Sequence, residues 1–230
     1  PWDDDIDICM RREEYNRFIH IMPHAMPQKY DLLDIYNTPK YSSCFAKVSK
    51  KGTRFKEKAG TTEGYEQGIF VDVFPLDYVP DDIAMRKKIT RKAWLYSRLI
   101  ILSEIDEPVF PNGYSRVKRA IVGFGCKFVH FLMKAFRINK LKLYDKYLKT
   151  ATAYNASQNY LTDYSAMDTE SVLVRTDVIF PLKDIRFEDT VFPAPDNLDS
   201  YLTTVYHDYM KLPKPEERHN HLAEVLDFGE

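Results

Sequence analysis

The chain has 230 residues, a formal net charge of -1, 44% hydrophobic and 29% charged residues, which is typical of an ordinary soluble protein with one sizeable core and room for a helical appendage. Three widely spaced cysteines, an odd number, argue against a disulfide framework or a paired cysteine metal site and favour a reducing, cytoplasmic setting. We expect neither a signal peptide nor a membrane-spanning segment, because the sequence has no apolar run long enough to span a bilayer.

The charge is unevenly distributed along the chain. Residues 86–149 contain 16 Lys and Arg against 4 Asp and Glu, a net charge of +12, which leaves -13 for the rest. This asymmetry predicts an anionic partner for the basic part and a cation-binding centre for the acidic part.

The acidic part begins with Pro1-Trp2-Asp3-Asp4-Asp5-Ile6-Asp7-Ile8, which has four carboxylates in five positions. If this run is a strand from residue 5 onward, Asp3, Asp5 and Asp7 share one face. A divalent cation would neutralise such a row, and Mg²⁺ (or Mn²⁺) takes oxygen ligands and bridges carboxylates to phosphates. A solvated acidic N-terminus is the alternative.

A helix is predicted to open at Arg11, with Tyr15, Phe18 and Ile19 on one face. Residues 20–27 are expected to break it. Three short strands are expected to follow, with a turn at residues 51–52 between the last two: 30–36, 45–49 and 53–58.

Residues 68–77 (Gly-Ile-Phe-Val-Asp-Val-Phe-Pro-Leu-Asp) predict a strand buried on both faces, because they are rich in β-branched and aromatic side chains. Asp72 lies in the middle of this strand. A buried lone carboxylate is costly, so we expect either a metal or a capped backbone group as its partner, and the acidic run favours the metal. Asp77, beyond Pro75, is expected in a turn.

The basic part predicts three helices, the first with a cap at residues 81–82: 83–102, 115–136 and 141–153, with a Pro/Gly-rich break at 108–113. Residues 120–136 are apolar nearly all round, with Lys127 and Lys134 on one face. Two interpretations stay open for this helix: burial among its neighbours, or rest on an anionic membrane surface with its lysines at headgroup level, which the net charge of +12 favours.

The C-terminal third predicts mixed structure. Strands are expected at 180–182 and 185–187, and a helix at 197–210. The organisation we expect is a catalytic core with the metal-binding carboxylates at 1–82, a basic helical region at 83–153, and a part that completes the core at 154–230.

Several of these segments resemble the LicD family, which includes bacterial phosphocholine transferases and is similar to fukutin and fukutin-related protein. The first eight residues with Met10 and Arg12-Glu13, and the strand 68–77, carry the most specific likeness. Four C-terminal segments fit as well: 178–182, 209–213, 216–218 and 227–230.

The resemblance implies an α+β fold with a nucleotidyltransferase-like mixed sheet and a basic helical insertion. It implies transfer of a phospho-alcohol such as phosphocholine from a CDP-linked donor. Asp5 and Asp7 match the family's Asp-hydrophobic-Asp pair, and Asp72 matches the carboxylate of a neighbouring strand, so these three are the expected metal ligands. Asp3 or Asp72 is expected to orient or deprotonate the acceptor hydroxyl. Arg12 is a candidate phosphate contact, with a solvent-facing first-turn arginine as the alternative.

The expected acceptor is a cell-surface glycan precursor, free or lipid-linked, of the teichoic acid, lipopolysaccharide or capsule type. We expect a cytoplasmic protein, peripheral on the inner membrane face, with no nucleic-acid partner. The family's Gly-Gly-Ser/Thr element lies just upstream of the Pro-Trp-Asp motif, and this sequence begins at Pro1, so we expect a fragment in preference to a divergent, inactive member. Two rival functions are nucleotidyl transfer to a small molecule or protein, and a non-catalytic metal-binding module associated with glycans or membranes.

Overall fold

The structure is a computed structural model, and it describes residues 5–57, 65–106, 115–154, 158–166, 168–214, 218 and 223–229. Helices and antiparallel strand pairs alternate, which confirms the predicted α+β class. The finer prediction of a nucleotidyltransferase-like sheet stays a prediction. The elements are β1 (Asp7–Arg11), α1 (Arg12–Ala25), β2 (Tyr30–Leu33), β3 (Ala46–Lys50), β4 (Arg54–Glu57), β5 (Phe70–Val79), α2 (Ile83–Glu104), α3 (Arg116–Ala135), α4 (Lys140–Ala151), β6 (Tyr160–Thr162), β7 (Val174–Arg175), α5 (Thr176–Ile179), β8 (Lys183–Phe187), β9 (Thr190–Ala194), α6 (Leu198–Tyr206) and β10 (Ala223–Asp227).

The chain forms two compact units. The first consists of the described residues of Pro1–Pro75, Leu95–Leu148 and His219–Glu230, and the second of those of Leu76–Trp94 and Lys149–Arg218. The division passes through β5, α2 and α4, so neither unit is one continuous stretch of chain. The predicted functional regions 1–82, 83–153 and 154–230 stay a prediction.

The first unit is built on the N-terminal half of β5. β3 pairs with it antiparallel, from Ala46 opposite Val73 to Ser49 opposite Phe70, and β2 pairs antiparallel with β3. β1 also pairs with β5, and β10 pairs antiparallel with β4. Helix α1 covers a core cluster with the face that the sequence predicts: Tyr15 is fully buried, and Phe18 and Ile19 pack against the cluster.

The predicted break at residues 20–27 is wrong, because α1 continues to Ala25 with Pro23 inside it. Proline removes one backbone donor and disturbs the preceding turn, but Pro23 lies in the last turn, where few helical bonds follow it. The helix ends at Ala25, and the backbone of the next residue, Met26, is extended.

The prediction of a turn at Asp77 is also wrong. β5 runs on to Val79, and Asp77 is a buried strand residue opposite Thr162 of β6. Pro75 is tolerated inside this strand because the pairing with β3 ends at Val73 and the pairing with β6 begins at Asp77. Buried residues of β5 alternate with half-buried ones, so none of its ten residues is exposed.

The second unit joins the C-terminal half of β5 to β6, and β6 to β7, in antiparallel pairs. β8 and β9 form a separate antiparallel hairpin, which confirms the strand predicted at 185–187. The strand predicted at 180–182 is wrong: α5 ends at Ile179, β8 starts only at Lys183, and Pro181 between them offers no backbone donor to a ladder. Helix α6 is shorter than predicted because it ends at Tyr206, and the next residue, His207, has a φ of +59° that does not continue an α-helix.

The helices of the basic part agree with the sequence. Asp82 Oδ1 accepts a hydrogen bond from the Met85 backbone (2.7 Å), and Ser115 Oγ accepts one from Lys118 (3.2 Å), so α2 and α3 start at the expected caps. The break predicted at 108–113 lies outside the described residues. No helix among those described combines the length and apolar character needed to cross a membrane. The interpretation of the apolar helix as buried is wrong, because Met133 is the one buried residue of α3.

Candidate functional site

The acidic run and β5 lie side by side. The Asp72 backbone N–H donates to the carbonyl oxygen of Ile6 at 3.3 Å, which places Asp72 next to the residue between Asp5 and Asp7. The strand that carries Asp72 is therefore a neighbour of the Asp5-Ile6-Asp7 segment, as the family resemblance implies. Asp5 and Asp7 are both exposed, whereas Asp3 lies outside the described residues.

The strand itself differs from the prediction. β1 starts at Asp7, so Asp5 precedes it, and Ile6 and Ile8 are 56% and 40% exposed. Among the described strands, β5 is the partner of β1, and β1 lies off the main strand order. The two carboxylates are exposed just before and at the start of β1, whereas Met10 further along the strand packs against the core cluster around Tyr15.

Asp72 has the ionic partner that a carboxylate in this position requires. Lys47 lies directly opposite it in the β3–β5 register, and Lys47 Nζ is 3.0 Å from Asp72 Oδ1. The two side chains are only 9% and 14% exposed. The Lys47 ammonium also lies 3.6 Å from the centroid of the Phe70 ring, so a cation–π contact adds to the ion pair.

The fit of a divalent cation can be tested against these positions. Among the described residues, no group of three or more His, Cys, Asp or Glu side chains could hold a metal ion. Magnesium, however, is usually held by one or two carboxylates together with substrate phosphates. The pair Asp5 and Asp7 fits that donor set. Asp72 would join it only if its carboxylate left the ion pair with Lys47. Metal binding by these three residues stays a prediction.

Arg12 is buried, so the alternative of a solvent-facing first-turn arginine is wrong. It is the first residue of α1, and its guanidinium carbon lies 5.3 Å from the centroid of the Tyr15 ring. Burial raises the pKa of Tyr36 and Tyr144, while the positive charge of Arg12 acts on both in the opposite direction. A cation therefore sits among tyrosines whose hydroxyls stay protonated.

These tyrosines and Lys47 are features that the sequence analysis missed. Tyr144 stacks on Tyr147 at 5.8 Å between centroids, and Tyr36 meets Tyr144 edge-on at 5.4 Å. The signal for the stack was the three-residue spacing of two tyrosines in α4, which puts them on one helical face. The signal for Lys47 was a lysine between apolar residues in a strand (Ala46-Lys47-Val48), although its partner cannot be inferred from that pattern.

Gly68 explains why the central motif opens with glycine. Its backbone N–H donates to Ser49 Oγ at 2.9 Å, and a Cβ there would lie 2.1 Å from the Lys50 carbonyl oxygen and 2.6 Å from Thr53 Oγ1. The glycine lets the start of β5 come close to the end of β3, and this positions Asp72 opposite Lys47 further along the same pair.

The C-terminal motif is part of the first unit. Asp227 is opposite Arg54 in the β10–β4 pair, and its Oδ1 accepts a hydrogen bond from the Gly229 backbone at 3.0 Å. Gly229 has φ of +69°, and a Cβ on it would lie 2.3 Å from the Gly52 carbonyl oxygen. Only glycine fits that close approach.

The chain is thus an α+β protein in which a strand that begins with exposed carboxylates lies beside β5, and Asp72 of β5 forms a largely buried ion pair with Lys47 of β3. The chain is similar to the lipopolysaccharide cholinephosphotransferase LicD of Haemophilus influenzae, with 25% identity over an alignment 237 positions long, which spans 96% of this chain and 79% of that protein. The match confirms the resemblance to the LicD family that the sequence motifs indicate. No family model matches the chain. No solved structure matches it with significance.

Proposed function

We propose that this protein transfers phosphocholine, or a similar phospho-alcohol, from a CDP-linked donor to a hydroxyl of a cell-surface glycan precursor. The observation that carries the proposal is the hydrogen bond that sets Asp72 beside the Asp5-Ile6-Asp7 segment. Similarity to a lipopolysaccharide cholinephosphotransferase over nearly the whole chain supports the same reaction class.

In this reaction the acceptor oxygen forms a bond to the choline-bearing phosphorus. The bond from that phosphorus to the bridging oxygen breaks, cytidine monophosphate leaves, and the hydroxyl proton passes to a carboxylate. Such a transfer depends on positioning and on neutralising charge more than on covalent help from the protein. A bound Mg²⁺ or Mn²⁺ would supply charge neutralisation at the pyrophosphate.

Asp5 and Asp7 would hold that cation, because they are exposed carboxylates two residues apart. Asp72 would join them when Lys47 turns from Asp72 to a donor phosphate, so the ion pair would keep both groups neutralised in the absence of substrate. Asp3 or Asp72 would orient or deprotonate the acceptor hydroxyl. Arg12 would attract a phosphate from the first turn of α1, where the helix dipole also favours an anion.

The test is a transfer assay with the purified protein, CDP-choline or CDP-ethanolamine as donor, and lipopolysaccharide or a lipid-linked glycan as acceptor. We expect labelled choline phosphate in the glycan and stoichiometric release of cytidine monophosphate. Chelation by EDTA should stop the reaction, and Mg²⁺ or Mn²⁺ should restore it.

The variants Asp5→Asn and Asp7→Asn should each lower turnover by about a hundredfold or more while the fold stays intact, since each removes charge from the proposed metal site. Asp31→Asn is the matched control, because Asp31 is also an exposed aspartate of the first unit and its partner, Lys51, is exposed too. Near wild-type turnover of either test variant would remove that residue from the site.

Two other outcomes would replace the proposal. Incorporation of a nucleotidyl group with release of pyrophosphate from a nucleoside triphosphate would favour nucleotidyl transfer. Binding of Mn²⁺ or glycan without turnover of any CDP-alcohol would favour the non-catalytic module.

A further inference from the structure

Helix α3 carries a continuous apolar stripe on its solvent side. Its five members recur at alternating spacings of four and three residues, which puts them on one face of an α-helix, and each is between 54% and 75% exposed. We name this set the α3 stripe: Val117, Ile121, Phe124, Phe128 and Phe131. Three neighbouring aromatic rings in water are unusual for a surface that has no partner.

The opposite side of α3 is fixed to the first unit. Met133 is buried, Cys126 is half-buried, and the Nδ1 atom of His130 lies 2.7 Å from the Leu102 carbonyl oxygen of α2. The helix therefore has a protein-facing side, and the α3 stripe is the side turned to solvent.

Cations border the stripe. Helix α3 contains no acidic residue, and Lys127 and Lys134 fall at one edge of the stripe while Lys118 falls at the other, on a helix of about 3.6 residues per turn. The five basic residues of the helix are all exposed: Arg116, Lys118, Arg119, Lys127 and Lys134. Arg119 lies on the opposite side of the helix, so the other four flank the stripe, and the surface is apolar along its centre and positive at its margins.

We propose that the α3 stripe docks on the surface of an anionic lipid bilayer, with α3 parallel to the membrane plane. The three phenylalanine rings enter the boundary between headgroups and acyl chains, and the basic residues stay at headgroup level. This pattern of an apolar face with lysines and arginines at its edges is what interfacial helices require.

The positive charge of α3 favours a bilayer, and not a second copy of the chain, as the partner of the α3 stripe. A dimer through the α3 stripe would bring together two helices with five cations and no acidic residue each, and like charges on facing helices oppose association. An anionic bilayer instead covers the apolar centre and neutralises the margins at once. This docking does not depend on the proposed transferase reaction.

The test is co-sedimentation of the purified protein with vesicles of phosphatidylglycerol and phosphatidylcholine in equal parts, and with pure phosphatidylcholine vesicles. We expect preferential binding to the anionic vesicles that weakens between about 50 and 500 mM NaCl. Phe124→Ser and Phe128→Ser should each weaken binding about tenfold. Lys127→Gln and Lys134→Gln should each weaken it about fivefold.

Phe187→Ser is the matched control, because Phe187 is also an exposed phenylalanine but lies on the β8–β9 hairpin. It should bind vesicles as the wild type does, and thermal melts should show every variant folded. Equal recovery with both lipids, no dependence on salt, or unchanged binding by folded Phe124→Ser would overturn the proposal. Concentration-dependent dimerisation that Phe124→Ser abolishes, without vesicle binding, would assign the stripe to a second copy instead. Vesicle binding needs no substrate, so failure of the transfer assay leaves this test intact.

Discussion

Two regions of the first compact unit differ in the solvent exposure of their charged side chains. In the β3–β5 pair, Lys47 and Asp72 are withdrawn from water together, 9% and 14% exposed and 3.0 Å apart. In α3, five cations stay in water beside exposed phenylalanine rings, with no acidic residue in the helix. A buried charge needs a partner inside the protein, because desolvation is costly. Surface charge carries no such requirement, so an excess of one sign there is available to a partner outside the protein.

Of the substitutions that test this comparison, the removal of the Lys47 charge should have the largest effect on stability. Lys47→Met keeps the length of the side chain but removes the lysine that forms an ion pair with the largely buried Asp72 carboxylate. We expect a loss of about 3 to 5 kcal/mol in the free energy of unfolding, measured by urea denaturation at pH 7. Such a loss is a large fraction of the stability of an ordinary domain.

The double variant Lys47→Met with Asp72→Asn should recover most of this loss, because no ionised group then stays buried. Lys51→Met is the control, since its pair with Asp31 is about half exposed and should contribute roughly 1 kcal/mol or less. Equal effects of Lys47→Met and Lys51→Met would mean that burial does not govern the Lys47–Asp72 pair.

Gly68→Ala tests the backbone approach that supports this pair. The added Cβ would meet the Lys50 carbonyl oxygen, a backbone atom that cannot turn away. We expect a loss of about 1 to 3 kcal/mol in the free energy of unfolding, as for other overpacked sites.

Gly125→Ala provides the matched glycine in the other region. Gly125 is in α3 and has no atom within 4 Å of an added Cβ, so alanine should stabilise the protein by about 0.5 to 1 kcal/mol through its helix propensity. Opposite signs for the two substitutions would sharpen the contrast between a packed strand pair and an open helix face. A destabilising Gly125→Ala would contradict the open surface of α3.

Tyr144 is a third case, a buried polar side chain that carries no charge. Burial raises the pKa of its phenol well above the ordinary value near 10. Below pH 10 the folded and unfolded states both hold the proton, and above it only the unfolded state releases it, so stability falls as the pH rises. Between pH 10 and pH 11 the wild type should lose about 1 kcal/mol more than Tyr144→Phe in urea denaturation. Identical losses would show that Tyr144 does not carry this penalty.

The sequence predicted the features that depend on local chemistry. Helix α2 starts at the cap formed by Asp82, α3 starts at Ser115, and α1 turns Tyr15 inward, because caps and apolar periodicity act over a few residues. It also predicted that the acidic run and the central strand meet, on the basis of a family resemblance. The position of Asp77 inside a strand could not be predicted from the sequence. It depends on pairing with β6, which lies more than 80 residues further along the chain.

The partner of Asp72 shows the same limit. From the sequence, a metal ion or a backbone group was the expected partner of Asp72. Its ionic partner in the structure is Lys47 from the adjacent strand. That pairing depends on strand register, in which a shift of one residue would turn Lys47 to the other face of the sheet. For α3, composition alone indicated a helix that is apolar nearly all round, whereas the spacing of its phenylalanines determines which side faces solvent.

The smallest expected effect on stability comes from the cations of α3. Lys127→Gln and Lys134→Gln remove charge from exposed positions on a helix that carries only positive charge, so each should change the free energy of unfolding by no more than about 0.5 kcal/mol. The pKa of Lys140 is lowered by burial and further by the positive charge of Lys134, so a slight gain is the expected direction for Lys134→Gln. Urea denaturation without lipid, compared with Lys47→Met under the same conditions, measures the difference. A loss of about 1 kcal/mol or more, the size of a buried interaction, would show that these lysines stabilise the fold itself. A negligible change would leave their positive charge for a partner outside the protein, which is the role that the docking of the α3 stripe assigns to them.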